Sequence, residues 1–238
     1  MQQEKRSRAD NRAQMQAAIL ELGRQHLSTH GAAGLSLRAI ARELGVVSSA
    51  VYRYVPSRDE LLTLLLVEGY TDLADTFDAA ADHATSASGD QSSSPHRAAI
   101  VAGAQAAREW ARTDPPRWAL LYGSPVPGYA APAERTVAPG TRMIGRLLTE
   151  LDAAHRAGEL RAQATAISPP LATDLGEITA EFDVDLPPEV LVAAITLWAS
   201  MIGGISLEVF GQYGADTFTH PAAVFDAQFG AALSLVFA

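Results

Sequence analysis

Apolar residues recur along this chain at spacings of three and four, and few β-branched runs alternate with period two, so most segments read as helix. In the first segment Met15, Ala18, Ile19 and Leu22 share one face, while Arg12, Gln16 and Arg24 fall largely elsewhere. The expected stop is near His30-Gly31. Ser36 is placed to cap a short helix ending at Leu44, with Gly45 as its terminator. A third short helix is expected over Ser48 to Tyr54. Pro56 and Ser57 then interrupt the chain, and Ser57-Arg58-Asp59-Glu60 has the form of a capping box opening a longer helix towards Ala81. Residues 84–94, ATSASGDQSSS, read as a flexible surface loop. Pro95 suits the first turn of a helix to about Thr113, which Asp114-Pro115-Pro116 breaks, and a short helix around Trp118 follows. Residues 124–140, SPVPGYAAPAERTVAPG, form a long proline- and glycine-rich excursion. Further helices are expected at 139–158, 170–181, 187–211 and 220–237. The fold class is all-α, with no internal repeat.

One stretch, GLSLRAIARELGVVSSAVYRYVPSRDELL at 34–62, carries a tight apolar skeleton. Ile40 and Leu44 lie one turn apart on the second helix, and Val51 and Val55 do the same on the third. Ala41 is small where two helices must cross, Gly45 four residues later favours a tight turn, and Val51 six beyond that closes a small core. That spacing is the packing logic of a helix-turn-helix. The third helix then exposes Ser48, Ser49, Ala50, Tyr52, Arg53 and Tyr54. Small and hydroxyl side chains let a helix enter the major groove closely, and Tyr52, Arg53 and Arg58 can reach phosphates on either side. An ordinary helical hairpin with solvated arginines is the competing reading.

Charge separates the two. The formal net charge is -9 over 238 residues. Residues 1–58 nevertheless hold nine Lys/Arg against four Asp/Glu, a net of +5, leaving -14 on the remainder. A basic first module on an acidic body suits a polyanion at one end only. Hydrophobic residues make up 48% of the chain, enough for a sizeable core. There is no cysteine, which excludes disulfides, thiol catalysis and cysteine-based zinc sites. The opening MQQEKRSRADNRAQ is charged and lacks a signal peptide's apolar core, so a cytoplasmic location is expected. The most apolar stretch, Val190 to Phe210, contains Thr196, Ser200, Ser206 and Glu208, and reads as a buried helix rather than a membrane span.

The span from about Ala13 to Leu66 resembles the N-terminal domain of TetR-type transcriptional regulators, through LRAIARELGV and AVYRYVPSRDELL. The resemblance implies an all-helical homodimer with a three-helix DNA-binding head, residues 1–56, and a larger body for effector binding and dimerisation, residues 57–238. It implies that Ser36 and Arg38 touch backbone or a base edge and that Ser48, Ser49 and Ala50 line the groove. Tyr52, Arg53 and Tyr54 would position the recognition helix, with Tyr54 equally suited to the core, and Arg58 would take a phosphate. One departure stands out: Val47 occupies the position where the family has a capping serine or threonine. The body resembles a subgroup named for a Trp-x-x-x-His-Gly sequence, through RWALLYGSPVPGY at 117–129 and Trp198 to Gly203, with Ile202 in place of the histidine.

The segment 187–211 is apolar nearly all round, and 220–237 adds Val224, Phe225, Phe229, Leu233, Val236 and Phe237. One monomer face cannot bury all of them, so these two helices are the expected homodimer surface, in agreement with the family's four-helix interface. Trp110, Trp118, Tyr122, Met143, Leu147 and Met201 are candidates to line an effector cavity, with plain core packing as the alternative. An apolar lining would suit a hydrophobic or aromatic small molecule. No catalytic constellation, phosphate-binding loop, cofactor motif or metal-ligand spacing stands out, and the acidic cluster at Asp174, Glu177, Glu181, Asp183 and Asp185 lacks the spacing of a calcium loop. The expected partners are double-stranded DNA, a second copy and a small-molecule effector, with no membrane. A helical small-molecule-binding protein or enzyme keeping a vestigial head is the rival reading.

Overall fold

The computed structural model describes residues 8–87, 94–161 and 166–237. Ten α-helices are formed among them: α1 (Arg8–His30), α2 (Leu37–Glu43), α3 (Ser48–Tyr52), α4 (Arg58–Ala87), α5 (Pro95–Thr113), α6 (Pro115–Tyr122), α7 (Ala133–Arg156), α8 (Pro169–Phe182), α9 (Pro188–Val209) and α10 (Pro221–Leu233). The chain divides into two compact units. The first holds residues 1–71 and 114–140, the second residues 72–113 and 141–238.

In the first unit, α1, α2, α3 and the start of α4 close a core of Ile19, Leu37, Ile40, Ala41, Val51, Val55, Leu61 and Leu65. The α2 ends follow from local chemistry. The Ser36 hydroxyl accepts from the Ala39 N–H at 3.4 Å. At the other end the N–H of Val46 donates to the Ala41 carbonyl and that of Gly45 to the Arg42 carbonyl, at 3.0 and 3.1 Å. This paired closure needs a left-handed residue, and Gly45 sits at φ 67°. Ser57 caps α4 as its sequence implies, accepting from the Glu60 N–H at 3.0 Å. From α6 and the segment after it, Leu120, Val126 and Tyr129 pack on the same core. The Tyr129 and Thr63 hydroxyls lie 2.9 Å apart, and Arg135 pairs with Glu60 at 2.6 Å. Trp118 is fully buried, with its ring centroid 4.5 Å from that of Tyr122.

The second unit is built on α5, whose small residues Ala99, Gly103, Ala104, Ala107 and Ala111 are buried. A Cβ at Gly103 would stand 2.5 Å from the Phe77 ring, so glycine there is what lets an aromatic of α4 lie against α5. Arginines of α7 reach carboxylates of α4: Arg142 to Asp75 and Asp78 at 2.8 and 2.9 Å, Arg146 to Asp82 at 2.7 Å. Buried Glu150 is satisfied by Arg146 at 2.9 Å and by the His96 ring at 2.8 Å. Helix α9 buries Leu191, Leu197, Met201 and Ile205, and α10 lies alongside it with Phe225, Phe229 and Leu233 buried. Among the described residues there is no strand. An isolated bridge joins Leu160 to Phe237, beside an Arg161 N–H that donates to the Val236 carbonyl at 2.8 Å.

Four boundaries differ from the sequence expectation. Helix α3 ends at Tyr52 rather than Tyr54, because Pro56 has no N–H and biases the preceding residue away from helix. Helix α4 runs six residues past Ala81 to Ala87, making 84–87 helical rather than loop. Thr85 and Ser86 are accommodated there by returning their hydroxyls to the carbonyls of Ala81 and Asp82. The rest of that expected loop, at 88–93, lies outside the described residues. Helix α7 begins at Ala133 and takes Pro139 into its interior, so the expected excursion to Gly140 ends at Pro132. Its start is held by the Pro132 carbonyl, which accepts from the Arg135 and Thr136 N–H groups at 3.1 Å each. Helix α10 stops at Leu233, where Ser234 to Val236 tighten into turns instead and Phe237 joins the bridge to Leu160.

By length and composition α9 is apolar enough to cross a membrane. It is also the helix with Met201, Gly204 and Ile205 buried in the second unit and Glu208 held in an ion pair.

Candidate nucleic-acid interface

The sequence-predicted DNA residues fall on one short run of structure. Ser48, Ser49 and Ala50 open α3, Tyr52 ends it, and Arg53 and Tyr54 follow directly. Val51 points inward and is fully buried, so the opposite side of α3 is left to Ser49, Tyr52 and Arg53, all exposed. Arg38 and Arg42 are exposed on α2. Ser36 is committed to its capping bond. Tyr54 is half-buried, packs on the head core and lies under the Arg12 guanidinium, 5.6 Å from ring centroid to Cζ.

Most arginines away from this surface are paired, Arg97 and Arg161 being in no ion pair among the described residues. Elsewhere in the fold Arg24, Arg108, Arg112, Arg135, Arg142, Arg146 and Arg156 are each in ion pairs. Arg38, Arg42 and Arg53 form none among the described residues. A fixed surface carboxylate would compete with phosphate for these cations, and α3 carries no carboxylate.

Arg58 is positioned differently. Its guanidinium donates to the carbonyls of Ala32 and Ala33 at 2.9 and 3.2 Å. These belong to a single 3-10 turn between α1 and α2, so Arg58 fixes how α2 leaves α1. His26, buried on α1, meets Glu43 of α2 at 2.8 Å and tethers the same pair of helices.

Two residues absent from the sequence-predicted set join it. Asn11 and Arg12, near the start of α1, line a cleft together with Arg53 and Tyr54. In the sequence Arg12 reads only as part of a polar face. No pattern along the chain signals that α1 returns its first turns to the end of α3, because that is set by the α1–α2 turn.

The six candidate effector residues are divided. Trp118 and Tyr122 belong to the first unit, while Trp110, Met143, Leu147 and Met201 belong to the second. Met143 and Leu147 are buried one turn apart on α7, and Met201 is buried on α9. Trp110 is half-buried and donates its indole N–H to Asp72 at 3.0 Å. Burial, with a smaller contribution from Tyr70, pushes the Tyr122 phenol well above the ordinary tyrosine range.

Residues 19–65 match the model for bacterial regulatory proteins of the tetR family, and residues 100–232 match that for a tetracyclin repressor-like C-terminal domain. The HTH-type transcriptional regulator Rv1816 of Mycobacterium tuberculosis is 52% identical over 221 residues, covering 93% of this chain and 92% of that protein. The crystal structure of the protein SCO4313 superposes with a TM-score of 0.74 at 30% identity, over 96% of this chain and all of that one. RolR, solved in complex with resorcinol, shares the fold at a TM-score of 0.54 and 15% identity, over 96% of this chain and 90% of that one. The chain belongs to the tetR family of bacterial regulatory proteins. It is a transcriptional regulator with a helix-turn-helix head and a helical body.

Proposed function

We propose that this regulator is a repressor that holds a palindromic operator as a homodimer and is released by a small hydrophobic or aromatic effector. The observation that carries the DNA-reading part is the set Arg38 and Arg42 on α2 and Arg53 just after α3, all exposed and in no ion pair among the described residues. In this reading Ser48, Ser49 and Ala50 enter the major groove, Tyr52 and Arg53 hold the flanking phosphates, and Arg38 reaches backbone or a base edge. Ser36 and Arg58 contribute chiefly by fixing the approach of α2, and Tyr54 by backing the recognition helix. Two heads on one dimer would enter successive major grooves about 34–36 Å apart.

The dimer surface in this proposal is formed by 187–211 and 220–237. Ile195 on α9 is 49% exposed and Leu235 after α10 is 53% exposed. A Cβ added at Gly203 or Gly230 would meet no atom within 4 Å. Exposed apolar side chains between small residues suit close helix packing against a second copy. Trp198 and Gly203 support membership of the Trp-x-x-x-His-Gly subgroup, with Ile202 as the departure.

The functional division falls at 56/57, head before and body after. Helix α4 supplies residues to both compact units, which makes it the covalent route from an effector site to the head. The effector would be held by aromatic and apolar side chains of one unit, either Trp118 and Tyr122 of the first or Trp110, Met143, Leu147 and Met201 of the second. It would act by binding the released state more tightly than the DNA-bound one. The resorcinol complex of RolR supports an aromatic ligand class. A protein acting on DNA in this way would work in the cytoplasm.

The test is the salt dependence of duplex binding. Each phosphate contact contributes about 0.9 to the slope of log K against log salt. Arg53→Ala should weaken binding to different sequences alike and lower that slope by about one. An unchanged slope would remove Arg53 from its phosphate role.

A further inference from the structure

Among the described residues Val47 is the most exposed of the large hydrophobics, at 71%, and it stands at the start of the recognition helix. Its neighbour Val46 packs on the head core, so the two valines separate, one inward and one outward. Capping does not account for Val47. Its backbone is extended, at φ −68° and ψ 142°, and its side chain makes no capping bond. The Ala50 N–H is met by the Val47 carbonyl, at 2.9 Å, which any residue could supply. A serine or threonine here would stabilise α3, so the valine is unexplained by local folding.

The surface around it limits what an exposed isopropyl group can meet. Ser48 and Ser49 follow it, and Tyr52 and Arg53 are exposed further along. In the proposed function this face enters the major groove, and the inference rests on that reading. The edges of the bases there carry hydrogen-bonding atoms and one apolar group, the C5 methyl of thymine. We infer that Val47 is a specificity-determining residue that contacts a thymine methyl in each half-site. The sacrificed cap is then a sequence preference built into the start of the recognition helix.

The test begins with a bound motif selected by the full-length protein from randomised duplex DNA. Each thymine of the half-site is then replaced in turn by uracil, which deletes the methyl and leaves every hydrogen-bonding atom. Symmetric replacement at one position should weaken the wild-type protein. The expected loss is roughly three- to fivefold per half-site, the value of burying one methyl group. Val47→Ser should lose that sensitivity while keeping its response to other base changes. The serine can cap α3, so the variant is expected to fold, and circular dichroism with thermal unfolding checks this. A motif with no uracil-sensitive thymine would overturn the inference and leave the DNA-reading function standing, as would equal sensitivity in Val47→Ser. Recovery of no motif at all would overturn the DNA-reading function itself and this inference with it.

Discussion

The Arg58 guanidinium, at the first residue of α4, donates to the backbone carbonyl of Ala32 at 2.9 Å. A residue whose sequence context suggests a phosphate contact thus already has a structural role, closing the turn between α1 and α2. The bond is to a charged donor on a side chain one-third exposed, so its loss should cost about 1 kcal/mol. Arg58→Ala should lower the urea midpoint of the free protein. A variant with unchanged stability and reduced DNA affinity would return Arg58 to a purely phosphate-binding role.

Arg108 of α5 and Glu208 of α9 form a bidentate pair, with N–O distances of 2.7 and 2.5 Å and only 12% of either side chain exposed. Arg112 approaches the same carboxylate at 3.3 Å. The Arg108 guanidinium also lies over the Phe225 ring at 5.9 Å, which ties α10 to the pair. Glu208→Ala leaves a desolvated guanidinium without its counter-charge, and the expected loss is about 3 kcal/mol. Arg108→Met combined with Glu208→Leu should recover much of it, because the replacement is then apolar on both sides. Denaturant unfolding of the two variants measures the difference.

Tyr122 and Tyr70 give the stability a predictable alkaline limb. Burial raises both phenols, so the fold favours their protonated forms. An acid whose folded pKa exceeds its unfolded value contributes stability that is fully present below the unfolded value. That contribution falls as pH rises above ~10, where the unfolded chain begins to release the proton. Stability should therefore decline above that pH, and Tyr122→Phe should flatten the decline. Tyrosinate absorbance of the native protein should lag that of the urea-unfolded chain over the same range.

The proposed dimer surface makes its own demand. Ile195→Asp places a charge on an exposed position of α9, so it should leave the monomer's fold intact while opposing association. Analytical ultracentrifugation should show a dimer for the wild type and a monomer for the variant at micromolar concentration. A variant that remains dimeric would move the interface away from 187–211.

What the sequence made legible follows from where the determining interactions are local. Ser36, Gly45 and Ser57 act through atoms a few residues away, and the helix ends they set agree with expectation. The apolar spacing of Ile40, Ala41 and Val51 encodes the head core for the same reason. The misplaced boundaries depend on competition. Pro139 signals a break, yet it lies in a helix whose later turns bury Met143, Leu147 and Leu151. Tertiary burial of that face outweighs one lost backbone bond. The pairing of Arg58 with Ala32 spans 26 residues and leaves no periodic trace. Arg12 and Arg53, 41 positions apart in the chain, meet at one cleft through tertiary packing alone. The distribution of the candidate effector residues between two compact units left no mark in the sequence, because it depends on contacts distant along the chain.

Sequence-specific binding by a dimer is tested most directly by selecting bound fragments from randomised duplex DNA with the full-length protein, sequenced after washes at low and moderate salt. The expected result is one palindromic motif whose half-site centres lie one helical turn apart or a multiple of it, retained at the higher salt. Uniform loss of all sequences as salt rises, with no motif enriched, would contradict it and reduce the basic face of the head to non-specific attraction for phosphate.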